Sequence, residues 1–271
     1  MRLIALGDCV ADRYVDDGVF YPGGQAVNVA VNARRDGAES ASYLGIFADD
    51  YFAEHIRSVL ADEGVETDRC RVAHGTTPGP GVRLVDGERV FLGGRRDSVA
   101  HLLRMRVVRE DLELLACYDV CHTTNDAGID EFLPQIHGVV PLSYDFSTGH
   151  DDAYLSRICP SLDIAFFSGE GLGRQEAGEL MHRAHGLGCS LVVVTAGALG
   201  SFCFDGESVH ECGITKVDAI DTMGAGDSYA AGFLVRYFDT RDVDAAMAFA
   251  AERAAHTCTV HGAFGRPSKI R

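Results

Sequence analysis

The densest chemistry in the chain lies in one run, Asp221-Thr222-Met223-Gly224-Ala225-Gly226-Asp227, which leads into Ser228-Tyr229-Ala230-Ala231-Gly232. The pattern reads as a loop that turns into a helix. Two glycines around an alanine let a ligand approach the backbone closely, and the first N–H groups of a helix have no partner within it. Those donors and the positive end of the helix dipole make Gly224, Ala225 and Gly226 an anion hole, suited to a phosphate in transfer. Asp227 beside it would repel a phosphate, so its use is different: it can take the proton from a hydroxyl that attacks the phosphorus. A glycine turn closed by an aspartate cap is the plainer reading, but seven residues in this order favour the chemical one.

Such a loop has to be held at the edge of a sheet, and the rest of the chain supplies the elements. Residues 3–6 form a short apolar run ending at Gly7-Asp8, the form of a parallel strand whose C-terminal end carries function; Asp12 follows on a loop. Gly23-Gly24 precedes a helix in which Val27, Ala30, Val31 and Ala33 recur at helical spacing, with Asn28 in its first turns. Residues 41–47 read as a strand and 50–63 as an amphipathic helix with Phe52, Ile56, Val59 and Leu60 on one side. Residues 81–85 and 88–92 flank Asp86-Gly87, the pattern of a hairpin closed by a type I′ turn. Together with 14–21 this hairpin predicts a small sheet standing off the core, whose apolar face needs a cover. Arg95 and Arg96, after Gly93-Gly94, are either ligand-facing cations at a hinge or a charged turn.

From there strands at 120–123, 142–147, 163–168 and 191–195 alternate with helices near 111–116, 129–137, 151–159 and 174–187. This predicts a parallel sheet covered on both faces, with the β-branched run 191–194 as its centre. Thr195-Ala196-Gly197-Ala198-Leu199-Gly200 follows at the strand's C-terminal end, where open α/β sheets bind ligands. Asp205-Gly206 marks a second hairpin, and the alanine-rich helix at 245–256 either packs closely on its neighbour or admits a flat adenine. Gly169-Glu170-Gly171-Leu172-Gly173 mimics a dinucleotide fingerprint, but Arg174 stands where the third glycine belongs and no acid follows about 20 residues on.

A chain of 271 residues suits one α/β unit with an appendage, and 46% hydrophobic with 24% charged residues describes an ordinary globular protein. The net charge of −16 excludes nonspecific binding to nucleic acid or anionic membranes, which demands a positive footprint. Residues 1–6 are too short for the apolar part of a signal peptide, so the expectation is a cytoplasmic protein. Nine cysteines without a Cys-x-x-Cys pair make neither a disulfide framework nor a zinc site; Cys117, Cys121 and His122 read as core packing.

The run from Asp221 to Asp227 resembles the C-terminal signature of the ribokinase-like (PfkB) carbohydrate kinases, and Gly23-Gly24-Gln25-Ala26-Val27-Asn28-Val29-Ala30 resembles their N-terminal one. Within that family the likeness is to the fructoselysine 6-kinase branch, through Gly7-Asp8-Cys9-Val10-Ala11-Asp12, Glu88-Arg89-Val90-Phe91 and Tyr144-Asp145-Phe146-Ser147. The resemblance implies an α/β, ribokinase-like three-layer fold, with a mostly parallel central sheet flanked by helices. It also implies one kinase domain over 1–271 with a small β lid from about 12–22 and 80–98, through which two copies could dimerise. The activity implied is ATP- and Mg²⁺-dependent phosphorylation of a primary hydroxyl, in this branch the 6-hydroxyl of a fructosamine. Another sugar or nucleoside kinase, or a catalytically silent sensor of nucleotide or sugar, is the alternative.

By the same resemblance Asp12, Gly23, Gly24 and Asn28 contact the sugar and Thr195, Gly197, Gly200 and Thr222 the nucleotide. Arg95 is set near the amino-acid end of the substrate, where a carboxylate can be held by two parallel hydrogen bonds. Asp221 either binds a monovalent cation such as K⁺ or caps the helix entry. Two stretches depart from the family. Ala48-Asp49-Asp50 lacks the usual glycine before the acidic pair, and Ser168-Gly169-Glu170-Gly171 replaces Asn-x-x-Glu, leaving Glu170 as the acid for magnesium or the metal to the nucleotide phosphates.

Overall fold

The computed structural model describes residues 1–85, 88–94 and 96–271. The turn expected at Asp86-Gly87 and the cation expected at Arg95 lie outside the described residues. The chain opens with strands β1 (Arg2–Gly7), β2 (Val10–Tyr14) and β3 (Val19–Gly23), helix α1 (Gln25–Arg35), β4 (Ser40–Ala48) and α2 (Tyr51–Asp62). Short strands β5 (Val65–Glu66) and β6 (Arg71–Ala73) precede the pair β7 (Gly81–Val85) and β8 (Glu88–Gly93). After α3 (Val99–Leu102) helices and strands alternate: α4 (Arg109–Leu115), β9 (Val120–Thr124), α5 (Leu133–His137), β10 (Leu142–Asp145) and α6 (Asp152–Ile158). Next come β11 (Ile164–Ser168), α7 (Arg174–Gly186), β12 (Leu191–Thr195) and the hairpin β13 (Ser201–Phe204) with β14 (Val209–Cys212). Helices α8 (Ala225–Thr240) and α9 (Val243–Thr257) and a short β15 (Ser268–Lys269) complete the chain.

The main sheet runs β14-β13-β12-β11-β10-β9-β1-β4-β5, with β6 also on β4. Neighbours from β4 to β12 pair in parallel, and β13 and β14 close one side antiparallel. Side chains alternate across this sheet. Leu3, Ala5 and Val193 share a buried cluster with Val27 of α1, Phe233 of α8 and Met247 of α9. Ile4, Leu6, Val192 and Val194 join a second one with Leu115 of α4, Ile136 of α5, Leu155 of α6 and Leu180 of α7. The period of two therefore puts helices on both faces, giving three layers, and each fully buried Leu, Ile or Phe contributes about 1.5–3 kcal/mol.

The run 191–194 is not the centre of the sheet: β12 stands third from one edge and β10 lies in the middle of the order. Apolar continuity reports burial on both faces, which the neighbouring strands share, and carries no lateral position. A second sheet runs β15-β3-β2-β7-β8. The segment 14–21 turns at 15–18, so it contributes parts of two antiparallel strands, and Ser268 and Lys269 add an edge that the sequence did not announce. On β8, Val90, Phe91 and Leu92 remain exposed. Among the described residues no helix is long and apolar enough to cross a membrane.

Candidate active site

A cleft of about 1630 Å³ opens where the parallel strands of the main sheet end. Asp8 after β1, Asp126 after β9, Asp145 ending β10, Glu170 after β11 and Ala196 after β12 all line it. Open α/β sheets carry ligands at this edge because loops there are free to present side chains while helix N-termini point the same way. The loop ahead of α8 enters from above and brings Thr222 through Asp227 into the same space.

Asp227 stands in the first turn of α8, only 9% exposed. Its Oδ2 accepts a 2.7 Å hydrogen bond from Nδ2 of Asn28 on α1. Burial pushes its carboxyl up to about 7; the Asn28 hydrogen bond and Arg89 pull it down, while the charge of Asp145 pushes it further up. Gly224 precedes the helix with φ 72, in the left-handed region, and a Cβ there would lie 2.3 Å from Cβ of Ala263, so only glycine fits. A Cβ on Gly226 would meet open space, and no backbone carbonyl accepts from the Gly226 or Asp227 amides among the described residues. The Ala225 amide donates weakly, at 3.3 Å, to the Thr222 carbonyl. Where the sequence led us to expect an anion hole at Gly224, Ala225 and Gly226, the structure has a helix start whose open amides, among the described residues, are those of Gly226 and Asp227.

The residues assigned to the sugar converge from three elements. Asp12 on β2 is 5% exposed, and its carboxyl is raised to about 7 by burial and by the charges of Asp8 and Asp227, with Arg89 opposing. Gly23 on β3 lies against it: a Cβ there would be 2.0 Å from Asp12 Oδ2. Gly24 and Asn28 line the cleft beside them. Asp8, which was not among the expected site residues, accepts from the Gln25 and Ala26 amides at 3.2 Å each and so caps α1 as well as facing the cleft. Its carboxyl is raised to about 6, chiefly by burial.

Arg89 is a second residue that spacing did not single out. From β8 of the small sheet it lines the cleft and donates to the Thr222 carbonyl at 2.8 Å, bridging to the loop that precedes Gly224. Its charge lowers both Asp12 and Asp227.

Thr195, Gly197, Gly200 and Thr222 line the cleft as well. Ala251, Ala254 and Ala255 of α9 line it too, while Ala246 and Ala250 are fully buried, so α9 both packs and presents small side chains. The loop after β14 contributes Lys216, one of two lysines in the chain and an exposed cation in a mostly acidic cleft. Glu170 is exposed at the cleft and takes no hydrogen bond or ion pair among the described residues. Asp221 is fully buried and met by donors: Tyr14 Oη at 2.6 Å, the Met223 amide at 2.9 Å and the Gly262 amide at 2.8 Å. These bonds tie the small sheet, the α8 loop and the segment near 262 together. Among the described residues no three His, Cys, Asp or Glu side chains converge as a metal site.

Comparison with known proteins bears on this geometry. The model of the family described as "pfkB family carbohydrate kinase" matches residues 4–135 and 154–269. The chain is 44% identical over 267 residues to "Fructosamine kinase FrlD" of Bacillus subtilis (strain 168), covering 98% of this chain and 93% of that protein. It is 33% identical over 266 residues to "Fructoselysine 6-kinase" of Escherichia coli (strain K12), covering 97% and 99%. In fold it is similar to the Arabidopsis thaliana ribokinase solved with ribose and ATP, with a TM-score of 0.83, 21% identity and coverage of 98% and 95%. A buried carboxylate at a helix start with open amides and a family match that spans it agree: the chain belongs to the pfkB family and is a carbohydrate kinase.

Proposed function

We propose that this kinase transfers the γ-phosphoryl group of ATP to the 6-hydroxyl of a fructosamine such as fructoselysine. The observation that carries the reading is Asp227, a buried carboxylate raised to about 7, held by Asn28 beside the free amides of a helix start. A base whose pKa lies near the working pH is ionised often enough to act and strong enough to take a proton. Asp227 accepts that proton as the sugar oxygen bonds to the γ-phosphorus and the bond from phosphorus to the ADP oxygen breaks. The Gly226 and Asp227 amides donate to the phosphoryl oxygens, where charge is concentrated in the transition state.

The nucleotide end follows from the cleft. Lys216 offers the phosphates a cation, and the alanines of α9 leave a flat apolar wall for the adenine. Residues 1–271 act as one kinase domain, and the small sheet serves as its lid, with Arg89 on Thr222 as the clasp that excludes water from the phosphoryl group. Mg²⁺ requires only one or two carboxylates when phosphates supply other oxygens, and Glu170 is the residue that would hold it. Bound there, it would neutralise charge on the phosphates. Asp221 enters as a structural tie, its oxygens being occupied by donors.

The fructosamine assignment draws on the 44% identity to a fructosamine kinase over nearly the whole of both chains. ADP release measured with fructoselysine, fructose, ribose and a nucleoside tests it, with the phosphorylated carbon located by NMR. The expected result is a kcat/KM for fructoselysine at least about 10-fold above the others, equivalent to roughly 1.4 kcal/mol, and a 6-phosphate product. Equal or better turnover of fructose, ribose or a nucleoside would reject the fructosamine and leave the kinase standing.

A further inference from the structure

Strand β8 sends its side chains to two different places. Arg89 and Phe91 line the cleft, whereas Val90 and Leu92 do not, as the period of two along a strand requires. Phe91 is 53% exposed, and of the chain's 14 phenylalanines it alone is exposed among the described residues. A single apolar side chain open on an outer surface is ordinary and asks for no explanation. Phe91 instead opens onto a cleft that also holds Asp8, Asp12 and Asp227, so its surroundings decide what it is for.

The register of the small sheet places those surroundings. Val82 of β7 pairs with Phe91 of β8 on one side and with Tyr14 of β2 on the other. Pro80, two residues before Val82, points to the same face and is the diagonal neighbour of Phe91, within reach of an aromatic ring. On its other side the segment meets β2: the Arg13 amide donates to the Pro80 carbonyl at 3.0 Å and the Ala11 amide to the Pro78 carbonyl at 2.8 Å, which sets Asp12 alongside. Asp12, Pro80 and Phe91 therefore follow one another diagonally across the small sheet, and all three line the cleft. The line starts at a carboxylate suited to sugar hydroxyls and ends at two side chains without a donor or acceptor. A ketose satisfies the first part. The second part gains only from hydrocarbon, which leaves water when it covers the ring.

We propose that Phe91 and Pro80 form an apolar subsite for the aliphatic carbon chain carried by the nitrogen on carbon 1 of the substrate. The inference rests on the fructosamine reading above and deepens it. Such a chain is either the methylene tether of a lysine joined through its side chain or the side chain of an aliphatic amino acid joined through its α-nitrogen. Free fructose has neither. The sugar is thus read by polar groups and its substituent by contact area, which discriminates among fructosamines that share the same sugar.

The test uses fructosamines whose nitrogen carries methyl, propyl or pentyl, so that charge and sugar stay constant while hydrocarbon grows. On wild type kcat/KM is expected to rise about two- to fourfold per added methylene, the range for partly or fully removing a methylene from water. Phe91→Ala should cut that slope by at least about half, whereas Val90→Ala, on the opposite face of the same strand, should keep it. A merely structural loosening of the lid lowers all three substrates together and leaves the slope unmoved. Fructoselysine and fructosevaline run alongside identify the attachment, as the one that loses more in Phe91→Ala. A flat series on wild type, or a slope that Phe91→Ala leaves unchanged, overturns the subsite and leaves the fructosamine reading standing. Should wild type prefer free fructose to every member, the fructosamine reading falls and takes the subsite with it.

Discussion

Gly23→Ala is the smallest change that tests how the sugar end is built. The added Cβ would lie 2.0 Å from Asp12 Oδ2 and 2.8 Å from its Cγ. Against an ordinary heavy-atom contact of about 3.5 Å, the carboxylate has to retreat by roughly 1.5 Å. Asp12 is buried on β2, where Ala11 pairs with Pro22 and Val10 with Gly23, so the backbone gives little and the side chain must swing. A displacement of about 1 Å in a positioning group is worth about 100-fold, so kcat/KM for the sugar should fall by about that factor. The overpacking itself should destabilise by about 1–3 kcal/mol, a drop in Tm of about 3–10 °C. The KM for ATP should stay within about twofold, since the nucleotide end is built from other elements.

Thermal melts and steady-state kinetics on a double-mutant cycle with Asp12→Ala supply the control. If the Cβ meets the carboxylate, Gly23→Ala should lower Tm in wild type and leave it nearly unchanged in the Asp12→Ala background, a coupling of about 1–3 kcal/mol. Equal losses of Tm in both backgrounds, or normal sugar kinetics in the single variant, would refute the argument that this glycine exists to make room for Asp12.

Arg89→Met removes the positive charge that lowers Asp12 and Asp227, so the acid limb of the kcat/KM profile, expected near pH 7 in wild type, should move to higher pH; an unmoved limb would detach Arg89 from the base. Asp12→Asn should change stability with pH: a carboxyl raised from 3.8 to about 7 on folding adds stability below pH 4 that is lost as pH rises through 7. The variant should therefore match wild type near pH 4 and be more stable than it at pH 8, by on the order of a few kcal/mol, read as a higher Tm; a constant offset would mean that Asp12 is not desolvated. Glu170→Ala should raise the Mg²⁺ concentration needed for half-maximal rate several-fold; an unchanged Mg²⁺ titration would leave the metal to the nucleotide alone.

What the sequence discloses about the site depends on how local the determinants are. The stretch from Asp221 to Asp227 can be read directly, because base, open amides and helix start lie within seven consecutive residues. The Gly23-Gly24 pair is visible, but its reason is not, since the atom that excludes a side chain at Gly23 belongs to Asp12 on the paired strand. Arg89 is harder still: it bonds Thr222, 133 residues away, through a sheet that stands off the core. Asp8, Asp126 and Asp145 become neighbours only when β1, β9 and β10 align, although each follows or ends an apolar strand, and that position was the signal available. The fold was legible for a related reason: the alternation of strand and helix determines a parallel sheet, whereas the order of its strands rests on long-range pairing that an apolar run such as 191–194 does not encode.

The central claim, that Asp227 is the base of a sugar kinase, is tested most directly by Asp227→Asn. Asparagine keeps the size and the oxygen that accepts from Asn28 Nδ2, so the cleft should remain intact and only the proton acceptor be lost. Calorimetric titration should give affinities for ATP and fructoselysine within about threefold of wild type, while kcat falls by about 100-fold or more. A variant that binds both ligands and turns over at near the wild-type rate would contradict the account.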